Sequence, residues 1–83
     1  MRTAHFPIGL EFSKKRFPKA KELTRYWITD ILETRSRVLD NQIVKIEYVI
    51  THKFMGQNIS EYVPEPTIAK ALHPEVLKQY YNL

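Results

Sequence analysis

Hydrophobic and polar positions divide the chain into four patterned segments. Near the start, Phe6, Ile8, Leu10 and Phe12 alternate with His5, Pro7, Gly9 and Glu11, the period-2 signature of a half-buried strand over about 4–12. Pro7 has no N–H to give a ladder, so this strand is expected at a sheet edge or bulged near Gly9.

Pro18 suits the first turn of a helix, and the positions after it recur at about 3.6 residues. Ala20, Leu23, Thr24, Trp27, Ile31, Thr34 and Val38 fall on one stripe, which predicts an amphipathic helix over about 18–37 with Trp27 on the core face. Ile28, Leu32 and Leu39 form a second apolar ridge beside Arg35. Either the C-terminal segment or a partner chain would have to cover it.

Asp40-Asn41 signals a turn. Val44, Ile46, Tyr48, Ile50 and Phe54 then share one face, with Lys45, Glu47, Thr51 and Lys53 opposite, the pattern of an antiparallel strand covered on one side. Met55-Gly56-Gln57-Asn58 would reverse it, and Ile59 to Val63 would return as a shorter strand, so a hairpin is expected over about 42–63. Pro64-Glu65-Pro66 ends the sheet. Thr67 can cap a short helix, and Pro74 opens a last one after His73, placing C-terminal helices at about 67–81. The expected fold is α+β in the order β-α-β-β-α, one small domain spanning 1–83, with an antiparallel hairpin sheet and the long helix packed on one face.

Composition agrees with a folded chain. The 83 residues are 43% hydrophobic with two Gly and no Cys, which excludes collagen-like, low-complexity and disulfide-stapled classes. The longest run without a charged residue extends only from Thr3 to Leu10, too short for a spanning helix, so no membrane association and a cytoplasmic location are expected.

Charge alters the picture more. The net charge is +4, yet residues 1–37 carry nine basic and four acidic side chains, while residues 38–83 carry four basic and five acidic. Lys14, Lys15, Arg16, Lys19, Lys21 and Arg25 are opposed locally only by Glu22 and are interleaved with Phe17, Tyr26 and Trp27, of which Trp27, expected on the core face, is not expected to serve as a stacking platform. A one-sided basic cluster with aromatics is the footprint of phosphate attraction combined with base stacking. Were a helix to begin at Pro18, its free N-terminal amides would add to those cations. This is the best-motivated phosphate site in the chain, and it would position a nucleic-acid backbone without distinguishing DNA from RNA.

Catalytic signatures are absent from the sequence. Its two glycines lie far apart, the three histidines His5, His52 and His73 fall on different elements, and no metal-ligand, cofactor or nucleophile–base spacing is present. His52 shares the apolar face of its strand, and His73 is placed to cap the last helix. Lys45, Glu47 and Lys53 could in principle serve an acid–base reaction, but cross-strand charge pairing explains them more cheaply. The sequence therefore reads as a non-enzymatic nucleic-acid-binding protein, a regulator or accessory subunit. The alternative is a module binding an acidic protein partner, or a homodimer, through Ile28, Leu32, Arg35 and Leu39 or through a strand edge.

Overall fold

Thr24 to Ser36 is dense in β-branched and aromatic side chains, and it forms the second strand of a four-stranded antiparallel meander. A computed structural model describes residues 4–81; Arg2, counted in the charge above, lies outside them. The strands β1 (Glu11–Lys14), β2 (Thr24–Ser36), β3 (Gln42–Phe54) and β4 (Gln57–Pro64) lie side by side in sequence order, followed by helices α1 (Glu65–Ala71) and α2 (Pro74–Tyr81). Among the described residues no helix is long and apolar enough to cross a membrane.

The mixed α+β class holds, with two short C-terminal helices. The long helix over 18–37 does not: residues 15–23 are irregular and residues 24–36 are β2. A β-bulge explains the misleading periodicity. The β2–β3 register shifts between Ile28 and Asp30, so Tyr26, Ile28 and Ile31 all face inward although their spacings are two and then three. A two-then-three spacing of apolar residues imitates one face of a helix.

The first predicted strand is also shorter than expected. The regular ladder with β2 covers Glu11–Lys14, an edge strand. Beyond it Ile28 N–H donates to the Leu10 carbonyl at 3.0 Å while Gly9 N–H donates to the Ile28 carbonyl at 2.8 Å, an irregular pairing at the glycine where the sequence predicts a bulge. Ahead of it the chain turns at Pro7–Leu10, where Leu10 N–H donates to the Pro7 carbonyl at 3.2 Å and Gly9 takes φ +95°. Phe6 and Phe12 are buried as their alternation predicts, but Ile8 points to solvent.

The β3–β4 hairpin is as expected, with a tighter reversal. Met55 and Gly56 alone make the turn, both at positive φ (50° and 77°), and Phe54 pairs with Gln57. Two consecutive left-handed residues match the twist of the flanking strands. Helix α1 starts at Glu65 instead of after Thr67; Pro64 is its N-cap residue and makes no side-chain cap. At α2 the His73 imidazole does cap: its Nδ1 accepts from Glu75 N–H at 3.2 Å, with Pro74 in the first position.

The core occupies one face of the sheet. Phe12, Tyr26, Ile28, Tyr48, Ile50 and Val63 are buried there beneath Phe6 and Ile68, with Leu77, Tyr80 and Tyr81 of α2 packed against them. A polar clip closes the edge of this core. Tyr48 Oη accepts from the backbone N–H groups of His5 (3.1 Å) and Phe6 (3.3 Å) and donates to Glu65 Oε1 at 2.6 Å. Glu65 Oε2 is 3.0 Å from His5 Nδ1 and accepts from Tyr81 Oη at 3.2 Å. One carboxylate thereby ties the first described segment, β3, α1 and α2 together.

Candidate nucleic-acid interface

The six clustered cations sit at one end of the sheet, on β1, on the β1–β2 loop and on the start of β2. No helix begins at Pro18, so the helix-terminal amides expected there are missing; instead Ala20 N–H donates to the Phe17 carbonyl at 3.0 Å in a turn. The loop holds the cations without a helix dipole.

The six are not equivalent. Lys14 is committed internally: its ammonium lies 4.4 Å from the centre of the Tyr26 ring and 3.3 Å from Glu61 Oε1. Arg16 lies over the Phe54 ring at 4.0 Å and near Phe17 at 5.7 Å, and it has no ion pair among the described residues. Lys15, Lys19, Lys21 and Arg25 are exposed and likewise unpaired among the described residues. Arg16 and Lys21 line an open hollow with Phe17 and Leu23.

Arg25 continues onto the other face of the sheet, which neither helix covers. The register places Trp27 opposite Thr51, and Thr51 opposite Ser60; the next row joins Asp30, Val49 and Tyr62. Trp27 is half-buried and outside the core cluster, which corrects its expected place on a core face. The bulge turns Thr29 onto this open face, where its hydroxyl lies 3.2 Å from that of Thr51, itself 2.7 Å from Ser60 Oγ. A row of hydroxyls therefore crosses three strands beside the indole.

The four residues of the predicted ridge separate. Ile28 is 1% exposed and belongs to the core, so it is not part of any surface. Leu32 lies on the open face opposite Glu47, Arg35 donates to the Asn41 carbonyl at 2.9 Å near the β2–β3 turn, and Leu39 is exposed at that turn beside Val38, which is 92% exposed.

Outside the basic cluster, several titratable groups have structural partners. The histidines stay apart, and no group of three or more metal-ligating side chains occurs among the described residues. His52 is buried against Tyr26, ring centres 4.7 Å apart, with no hydrogen-bond partner on Nδ1. Lys45 pairs with Glu47 at 3.4 Å along β3. In the clip, burial and then the hydrogen bond to Glu65 push the Tyr48 phenol well above its usual range. Burial would raise Glu65, but hydrogen bonds from Tyr48 and His5 outweigh it and hold the carboxyl below its ordinary value.

Sequence reasoning missed Tyr62, Thr29 and Ser60. Tyr62 and Ser60 alternate with the buried Val63 and so could have been placed on an outer face, but that this face stays open follows only from where the helices pack. Comparison with protein-family models, with curated proteins and with solved structures returns no match to this chain.

Proposed function

We propose that the chain is a non-catalytic, cytoplasmic nucleic-acid-binding protein, a regulator or accessory subunit that holds a phosphate backbone with Lys15, Lys19, Lys21 and Arg25. The observation that carries this reading is their disposition: four exposed cations, unpaired among the described residues, at one end of the sheet. Arg16, 4.0 Å from the centre of the Phe54 ring, extends the set. Exposed cations gain affinity for a polyanion mainly by releasing condensed counterions, which requires no buried pocket. The titratable cluster of His5, Glu65 and Tyr48 is engaged in holding the fold.

The test is fluorescence anisotropy of labelled single-stranded and duplex oligonucleotides across a salt series. Neutralising about four phosphates gives a log–log salt slope of roughly −3 to −4. Charge reversal of Lys15, Lys19 and Lys21 to Glu should abolish binding while the circular dichroism spectrum is retained. Undiminished binding by that folded variant refutes the assignment.

Val38 and Leu39 favour a second reading, contact with a partner protein or second copy through the β2–β3 turn, where both project from the sheet. Light scattering of a Val38→Ser/Leu39→Ser variant tests it. An unchanged mass relative to a self-associating parent, or a monomeric parent, removes the homodimer version.

A further inference from the structure

We infer that the uncovered face of the sheet is a stacking platform for single-stranded nucleic acid, with Trp27 and Tyr62 as its two ring surfaces. This rests on the phosphate-binding reading of the adjacent loop and names the class of nucleic acid that the whole surface accepts. Tyr62 is 67% exposed and Trp27 half-buried, and neither ring stacks on another aromatic among the described residues. They are not a cross-strand pair, because β3 runs between them. Two strand spacings and two residues of rise separate their Cα atoms by roughly 12 Å, room for bases to lie on each ring in turn.

The polar side chains between the rings fit the same occupant. The Thr29, Thr51 and Ser60 hydroxyls form a chain that ends at the exposed Ser60, where donor and acceptor capacity remains for base edges.

Charge sets the direction. On this face Arg25 precedes Trp27 by two residues, and Lys53 follows Thr51 by two on β3. Both lie at the end nearest the basic loop, so a backbone anchored there would run along the cations with its bases over the rings. Asp30 lies in the row of Tyr62 but two strands away from it, Glu47 lies one row further from the loop, and Glu11 borders Trp27 on β1. The path therefore starts at the loop, follows β2 to β4 and avoids the β1 edge. A duplex keeps its base faces stacked inside and cannot use the rings, whereas a single strand can.

Trp27 is the chain's one tryptophan, so its emission reads the platform directly. The full chain is titrated at low salt with an oligothymidylate, an oligouridylate and a duplex, each of about 12 units, while labelled copies report affinity by anisotropy. The single strands should quench Trp27 to saturation and the duplex should not, and the tighter of the two single strands identifies DNA or RNA as the source. Tyr62→Ala should weaken single-strand binding by roughly 5- to 150-fold with little change in salt slope, and Tyr62→Phe should restore it. Circular dichroism checks that the variants fold.

Single-strand binding that leaves Trp27 emission unchanged and is indifferent to Tyr62→Ala overturns the platform and leaves the phosphate reading standing. Equal quenching by duplex also overturns it, as does a concentration-dependent emission shift without oligonucleotide, which would put a second copy on this face. No binding of any oligonucleotide overturns both readings.

Discussion

Replacing Tyr48 by Phe removes one oxygen from the centre of the clip. Phe6 N–H has the Tyr48 hydroxyl as its hydrogen-bond partner and belongs to a residue 1% exposed, so the substitution leaves a buried donor unpaired. Glu65 loses its shortest bond, 2.6 Å, but keeps His5 and Tyr81. His5 N–H retains Glu65 Oε1 at 3.2 Å. An orphaned buried donor costs about 1–3 kcal/mol and a hydrogen bond to a charged group about 1.5–3 kcal/mol, and the two overlap here because one hydroxyl serves both. The expected loss is about 2–3 kcal/mol. For a domain of this size that is a fall in Tm of roughly 10–20 °C. Urea denaturation followed by circular dichroism measures it, with Tyr81→Phe as the milder control. A loss under about 0.5 kcal/mol at unchanged m-value refutes the claim that the clip holds the first described segment in place.

Other outcomes follow from the same geometry. Ile28→Ala should cost about 2–4 kcal/mol and exceed the cost of Trp27→Ala, although the indole is larger, because Ile28 is in the core and Trp27 is not; the reverse order in parallel denaturation curves would put Trp27 back on the core side. Glu65 titrates below its ordinary 4.5 in the fold, so its contribution is complete above the unfolded value and drains as pH falls through the folded one. Tyr48→Phe should flatten that acid limb of stability against pH, and an unchanged limb counts against the assignment. The phenol of Tyr48 is shifted upward from 10.0, so stability should also fall as pH rises past about 10, which alkaline melting curves read. Gly56 sits at φ 77°, so Gly56→Ala should cost about 1 kcal/mol, whereas Met55→Asn, better suited to φ 50°, should gain a few tenths.

The legible parts of the chain are those whose pattern is set locally. The β3–β4 hairpin could be read because inward and outward residues alternate on β3 without interruption from Ile46 to Phe54 and a glycine stands where the turn needs positive φ. His73 could be read as a cap because Pro74 fixes where α2 begins. β2 was opaque: the extra residue at the bulge rephases its alternation, so that Ile28 and Ile31 both point inward, and a helical template accepts that spacing as readily. The basic cluster was visible as composition, but its division was not. Lys14 is withdrawn by Tyr26 and Glu61, which lie 12 and 47 positions further along the chain, and no local rule anticipates that. The open face was legible only in part, since alternation gives two faces and says nothing about which one the helices cover.

The clip also bears on the order in which the structure assembles. Each pair of neighbouring strands is consecutive in sequence, so the meander can zip from its turns by short-range closures. The His5–Glu65 hydrogen bonds close a loop of 60 residues and require α1 to be in place. Long closures that recover little surface form late, after the rate-limiting barrier, and act chiefly on the return path. Weakening the clip should leave the refolding limb of a chevron almost where it was and raise the unfolding limb. Glu65 then works as a latch: it governs how long the protein stays folded far more than how quickly it folds.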